Sequence, residues 1–139
     1  MKKILLAAFL VMGSVSLVSA QTAPAAAQPN PNGPEMKFKG TEFHDFGTIT
    51  ERDEPYEHKF EFTNTGKSAL IIQNVTAGCG CTIPEWSKQP ILPGKSSVIS
   101  VKYNSKGRVA PFTKEIFIKS NATQEPYTIR IKGTVVAPK

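Results

Sequence analysis

The sequence has two cysteines, one tryptophan and two histidines among 139 residues. Two cysteines allow at most one internal disulfide, so this is not a domain held together by several bridges. After residue 20 no apolar run is long enough to cross a bilayer, which takes about 20 residues, and no segment carries the 3.6-residue stripe of an amphipathic helix. That excludes helical bundles and a membrane span in the mature chain. The usual catalytic signatures are missing as well. There is no G-x-S-x-G elbow, and the acids are scattered over polar positions. His44-Asp45-Phe46-Gly47 contains a D-F-G triplet without the other kinase elements. Pro93-Gly94-Lys95-Ser96 resembles the end of a phosphate loop, but Gln89 stands where its first glycine belongs and a strand pattern follows. We therefore expect a protein that is not an enzyme.

One sign of charge is in modest excess, with 17 basic against 11 acidic residues and a formal charge of +6. The basic residues are spread out and interleaved with acids, as in Glu57-His58-Lys59-Phe60-Glu61. This reads as the wet face of a sheet, not as a nucleic-acid footprint.

The N-terminus is laid out as a secretory signal peptide. Met1-Lys2-Lys3 is positive, Ile4 to Val18 is nearly all apolar, and Val18-Ser19-Ala20 offers small residues for cleavage after Ala20. No cysteine stands at that point to take a lipid. Residues 21–34, QTAPAAAQPNPNGP, hold no charge and no aromatic residue, and are expected to be a disordered linker. A domain is expected over 35–139, long enough to form a core without staples. The layout implies a periplasmic or secreted protein of bacterial type.

Within that domain the hydrophobic period is two. Tyr56, His58, Phe60 and Phe62 alternate with Glu57, Lys59, Glu61 and Thr63. Ile99, Val101 and Tyr103 form a second such row, Ile116 and Ile118 a third, and Tyr127, Ile129, Ile131, Gly133 and Val135 a fourth. Each is a strand with one buried face. SALIIQNV is a shorter strand, and EMKFKG with TEFHDFGTI supplies the first strands, divided near Gly40. Turn signals at Asn64-Thr65-Gly66-Lys67, Pro93-Gly94-Lys95, Asn104–Gly107 and Asn121-Ala122-Thr123 separate the runs. About seven short strands at this spacing predict an all-β, immunoglobulin-like β-sandwich. Gly47 is expected to permit a bend or bulge in its strand.

The strings FHDFGTI, FEFTNTGKSALII, AGCGCTIPEW, QPILPGKSSVISVKYNSKG, IFIKSN and IRIKGTV together resemble the bacterial domain-of-unknown-function 1573 family, DUF1573, over about residues 42–136. The most specific part is GCGCT followed by a Pro-Gly turn. The resemblance implies an exported immunoglobulin-like domain and implies no activity.

The remaining chemistry lies in Cys79-Gly80-Cys81. Residues i and i+2 of a straight strand are nearly 7 Å apart, too far for a disulfide whose Cα atoms stand about 5.5–6 Å apart. Closure then needs a bend, and Gly80 is expected to supply it through positive φ. A loop this short contributes roughly 1.6 kcal/mol, which strain can cancel. Three readings stay open: small buried hydrophobes or an inert bridge; a redox-labile pair; or a soft-metal pair for Cu(I) or Zn, although no cofactor is required. For the last, His58 is the candidate third ligand, since the start of its strand and the cysteine turn are expected at one end of the domain; His44 is weaker. Trp86, placed in a proline-flanked loop, is the candidate contact for an unidentified protein partner. The function expected is a binding or assembly module, with periplasmic thiol redox or Cu(I) binding as the alternative.

Overall fold

Alternating apolar and polar side chains give a strand one dry face, and two such faces must meet. The computed structural model describes residues 30–123 and 126–139. The expected signal peptide, residues 1–20, and the linker up to residue 29 lie outside the described residues. Eight strands follow in order: β1 (Met36–Phe38), β2 (Phe43–Thr50), β3 (Tyr56–Asn64), β4 (Ile72–Ala77), β5 (Thr82–Trp86), β6 (Ser96–Tyr103), β7 (Pro111–Ser120) and β8 (Tyr127–Val136). They form two four-stranded sheets, ordered β1-β3-β6-β5 and β2-β8-β7-β4. The protein is an all-β, immunoglobulin-like sandwich. Among the described residues no helix is long and apolar enough to cross a membrane.

The period-two rows become the core. Phe60 and Phe62 of β3, Ile99, Val101 and Tyr103 of β6, Ile116 and Ile118 of β7, and Ile129, Ile131 and Val135 of β8 are all buried. Phe117 points the other way and is exposed. The chain does break at Gly40, where φ is +98°. β1 pairs with β3 in one sheet, while β2 crosses to the other and runs parallel to β8. The expected bulge at Gly47 is there: the β2–β8 register shifts between Asp45 and Thr48, with Gly47 at φ +67°.

The expected count of about seven strands falls one short because of β5. Pro84 sits in its middle, and a proline inside a run argues against a strand. β5 is an edge strand, paired only with β6, and there proline is tolerated. The packed chain also begins earlier than residue 35: Gly33 and Pro34 are buried, and their carbonyls accept from the amides of Lys67 and Thr123.

One end of the sandwich is organised by Asn64, whose exposure is 0%. Its amide nitrogen donates to the carbonyls of Ser68 and Ile91, both at 2.8 Å. Its side-chain oxygen accepts from the amides of Gly66 and Glu35 at 3.0 and 3.3 Å. Every hydrogen-bonding position of the side chain is filled. Asn64→Ala removes four hydrogen bonds, the one to the Ile91 carbonyl buried and the other three part-buried, and we expect it to lower stability by about 2–3 kcal/mol in a denaturant melt; an unchanged midpoint would refute the role.

Candidate functional site

The cysteine turn lies at the opposite end, between β4 and β5. Cys79 and Cys81 are joined by a disulfide with their Cα atoms 5.3 Å apart. The amide of Thr82 donates to the carbonyl of Cys79 at 3.3 Å, closing a β-turn with Gly80 and Cys81 at its centre. The amide of Asn104 donates to the carbonyl of Cys81 at 2.9 Å and ties the turn to the end of β6. The Oγ1 of Thr82 lies 3.8 Å from the sulfur of Cys79 and 3.7 Å from that of Cys81. Cys81 is buried at 5% exposure, whereas Cys79 is half-buried.

The reason expected for Gly80 needs correcting. It does make the bend, but it is not among the glycines with positive φ. A Cβ added there would meet nothing within 4 Å. The ring closes in a turn that other residues can adopt.

The disulfide borders an open concavity of about 540 Å³ whose other walls come from Tyr103, the segment 107–111, Phe112 and Lys114. Its floor is aromatic, with the rings of Tyr103 and Phe112 stacked at 3.8 Å between centroids. Phe112 can lie there because its neighbour across the ladder is Gly133; a Cβ on Gly133 would fall 2.9 Å from the ring. Burial pushes the Tyr103 hydroxyl pKa up, against a smaller opposing pull from Arg108. The lining contains two cations, Arg108 and Lys114, and no carboxylate. Lys114 shares the inward parity of Phe112, Ile116 and Ile118 on β7 and is half-buried, with no ion pair among the described residues. Arg108 is exposed, and its guanidinium donates to the carbonyl of Lys106 at 2.7 Å. Neither cation stood out in the sequence. The alternation Phe112, Lys114, Ile116, Ile118 is the signal that points to Lys114.

The other sequence candidates go elsewhere. His58 does not join the cysteines. It lies opposite Val101 on β6, and its ring stacks on His44 across the two sheets, with centroids 3.5 Å apart and planes 9° apart. Phe46 and Phe60 meet the pair edge-on at 4.5 and 4.7 Å. Burial lowers the pKa of both imidazoles; Asp45 opposes this at His44, and the like charge of His44 adds to it at His58. Among the described residues no three His, Cys, Asp or Glu side chains gather as metal ligands.

Trp86 is not in a loop. It ends β5 opposite Ile99, four residues from Thr82, or about 13 Å along the strand. It is half-buried against the core, with the Lys88 ammonium 3.1 Å from its ring centroid. It does not line the concavity.

The fold and the Cys-Gly-Cys turn define a class of small two-sheet sandwich domains, and comparison with known proteins is consistent with that. The profile of a family described as a protein of unknown function, DUF1573, matches residues 36–135, and the chain belongs to that family. No curated protein matches. Among solved structures, a protein of unknown function from Porphyromonas gingivalis W83 superposes with a TM-score of 0.63 at 21% identity, covering 83% of this chain and 51% of that one. This chain thus spans about half the length of that structure. The secreted serine protease VesC from Vibrio cholerae gives a TM-score of 0.51 at 17% identity, over 75% of this chain and 23% of that one. The VesB protease from Vibrio cholerae gives 0.50 at 14%, over 74% and 32%. At these identities the likeness is one of fold.

Two outcomes follow from the geometry. Gly80→Ala should still close the disulfide, with stability within about 0.5 kcal/mol of the parent; thiol titration checks this, and free thiols in the variant would contradict it. The histidine pair gives a pH dependence whose sign is fixed. Both pKa values are lowered on folding, so the unfolded chain binds more protons. Their contribution is complete above about pH 6.5, the ordinary histidine value, and is lost as pH falls through the lower folded values. Denaturation midpoints should therefore drop as pH falls below about 6.5, and His58→Phe should flatten that drop.

Proposed function

We propose that the protein is an exported, non-catalytic binding or assembly module that docks an acidic segment of a partner protein in the concavity beside Cys79–Cys81. The observation that carries this reading is the lining, in which Arg108 and Lys114 flank the apolar surface of Val109 and Phe112 with no carboxylate among them. Val109 is 53% exposed, so the apolar part is open to a ligand. Lys114 carries no ion pair among the described residues, so its ammonium is available to an acidic side chain. Loops at one end of a sandwich are a common place for recognition. Export is supported by the positive and apolar N-terminal layout of residues 1–20 and by a closed disulfide, which persists in oxidising compartments such as the periplasm or outside the cell.

The test is selection of peptides from a random library on the full chain. Selected peptides should be enriched in Asp and Glu, and Lys114→Glu should weaken their binding at least about tenfold. Peptides without acidic enrichment, or indifferent to Lys114→Glu, would overturn the reading.

A second reading is favoured by the half-buried Cys79 bordering the concavity: thiol exchange, or Cu(I) binding once the pair is reduced. Two sulfurs bonded to each other present no thiolate to a metal. Opened, they would suit Cu(I), which accepts two or three soft ligands, better than zinc, which wants four.

A further inference from the structure

We propose that the Cys79–Cys81 disulfide exchanges selectively with anionic thiols, with Cys79 as the sulfur attacked and with Arg108 and Lys114 as the residues that select for charge. This rests on the thiol reading above and adds the class of substrate and the order of the chemistry.

The order follows from burial. Cys81 is 5% exposed, while Cys79 is half-buried. An incoming thiolate therefore reaches the Cys79 sulfur. A bond forms between the two as the Cys79–Cys81 bond breaks, and its electron pair leaves on Cys81 as a thiolate. The Thr82 hydroxyl, 3.7 Å from that sulfur, is placed to donate a hydrogen bond to it. A second thiolate of the substrate then attacks the substrate sulfur of the mixed disulfide and releases Cys79. Two substrate thiols are oxidised to one disulfide, the cysteine pair is reduced to two thiols, and the two protons of the substrate thiols end on the cysteines.

The charge selection follows from the walls. Arg108 and Lys114 border the same concavity as the disulfide, with no carboxylate in the lining. Cations beside a sulfur favour the approach of a thiolate and the departure of one. An extra negative charge on the substrate is attracted by the same pair. Of the acids near this end, Glu115, next to Lys114 in sequence, pairs with Arg130, Asp53 pairs with Lys106, and Glu51 accepts from the amide of Gly107 at the edge of the concavity.

The experiment uses the oxidised full chain and three small thiols: mercaptosuccinate, 2-mercaptoethanol and cysteamine, which carry negative, no and positive charge. Opening rates are expressed per thiolate, with the fold monitored by circular dichroism. Mercaptosuccinate should react about tenfold faster than cysteamine at low salt, within the range expected of electrostatic steering. The ratio should fall toward one in the Arg108→Gln, Lys114→Gln double variant. It should fall likewise for the parent protein in about 1 M salt, where the screening length is about 3 Å, so the test stands even if the double variant does not fold. Mass spectrometry of quenched samples should place the adduct on Cys79. Equal rates for the three thiols would overturn charge selection and leave the thiol reading in place. An adduct on Cys81 would overturn the order of attack. A disulfide that stays closed to all three thiols in the folded protein would overturn the thiol reading itself.

Discussion

The side chain of Asn64 is the point at which the two halves of the chain are fastened. It stands at the end of β3, where the strand must stop and the chain must turn. It accepts from the amides of Glu35 and Gly66 and donates to the carbonyls of Ser68 and Ile91. Its backbone adds two further bonds, donating to Lys95 and accepting from Gly94. Three separate segments, at Glu35, at the turn 66–68 and at 91–95, thus meet at one buried residue. Such a group is expensive when unpaired and stabilising only when complete, which makes the geometry of this end all-or-none.

With that end fixed, the other is free to be open. The sandwich there is floored by Tyr103 on Phe112, and Phe112 in turn needs the bare backbone of Gly133. The concavity exists because aromatic rings fill the space between the sheets before the strands end. The disulfide turn stands over that floor, held by Asn104 and Thr82 and not by its own ring alone. The short covalent loop contributes little to stability, roughly 1.6 kcal/mol at most. Its position beside two cations is therefore the more informative property.

How much of this was legible in the sequence differs by element. β3, β6, β7 and β8 were plain, because each alternates without interruption and one face of each is dry. β5 was hidden by Pro84, since local chemistry cannot tell an edge strand from a loop. The division at Gly40 was visible, but not that β1 and β2 belong to different sheets, because that depends on partners far away in sequence. The cysteine pair stood out, but its closure did not follow from spacing, which in a straight strand holds the two too far apart. Nor did the conformation of Gly80, because a turn of ordinary φ serves as well. His44 and His58 each share parity with a core phenylalanine, Phe46 and Phe60, yet their stacking needed the two sheets laid together. Lys114 is legible in principle, as a charge in an apolar row, but lysines on strands usually face water, so the row alone does not single it out.

The parallel pairing of β2 with β8 has a consequence for how the chain comes to be folded. Phe43 and Ile49 find their ladder partners at Arg130 and Val135, near the far end of the domain. An early strand therefore has no neighbour in its sheet until nearly the whole chain is available. Contacts of this kind close large loops and slow folding. Until β8 arrives, β2 is an unpaired edge carrying Phe43 and Phe46, a segment able to pair with the wrong chain. A chain interrupted before residue 130 would lack the strand on which its own second strand depends.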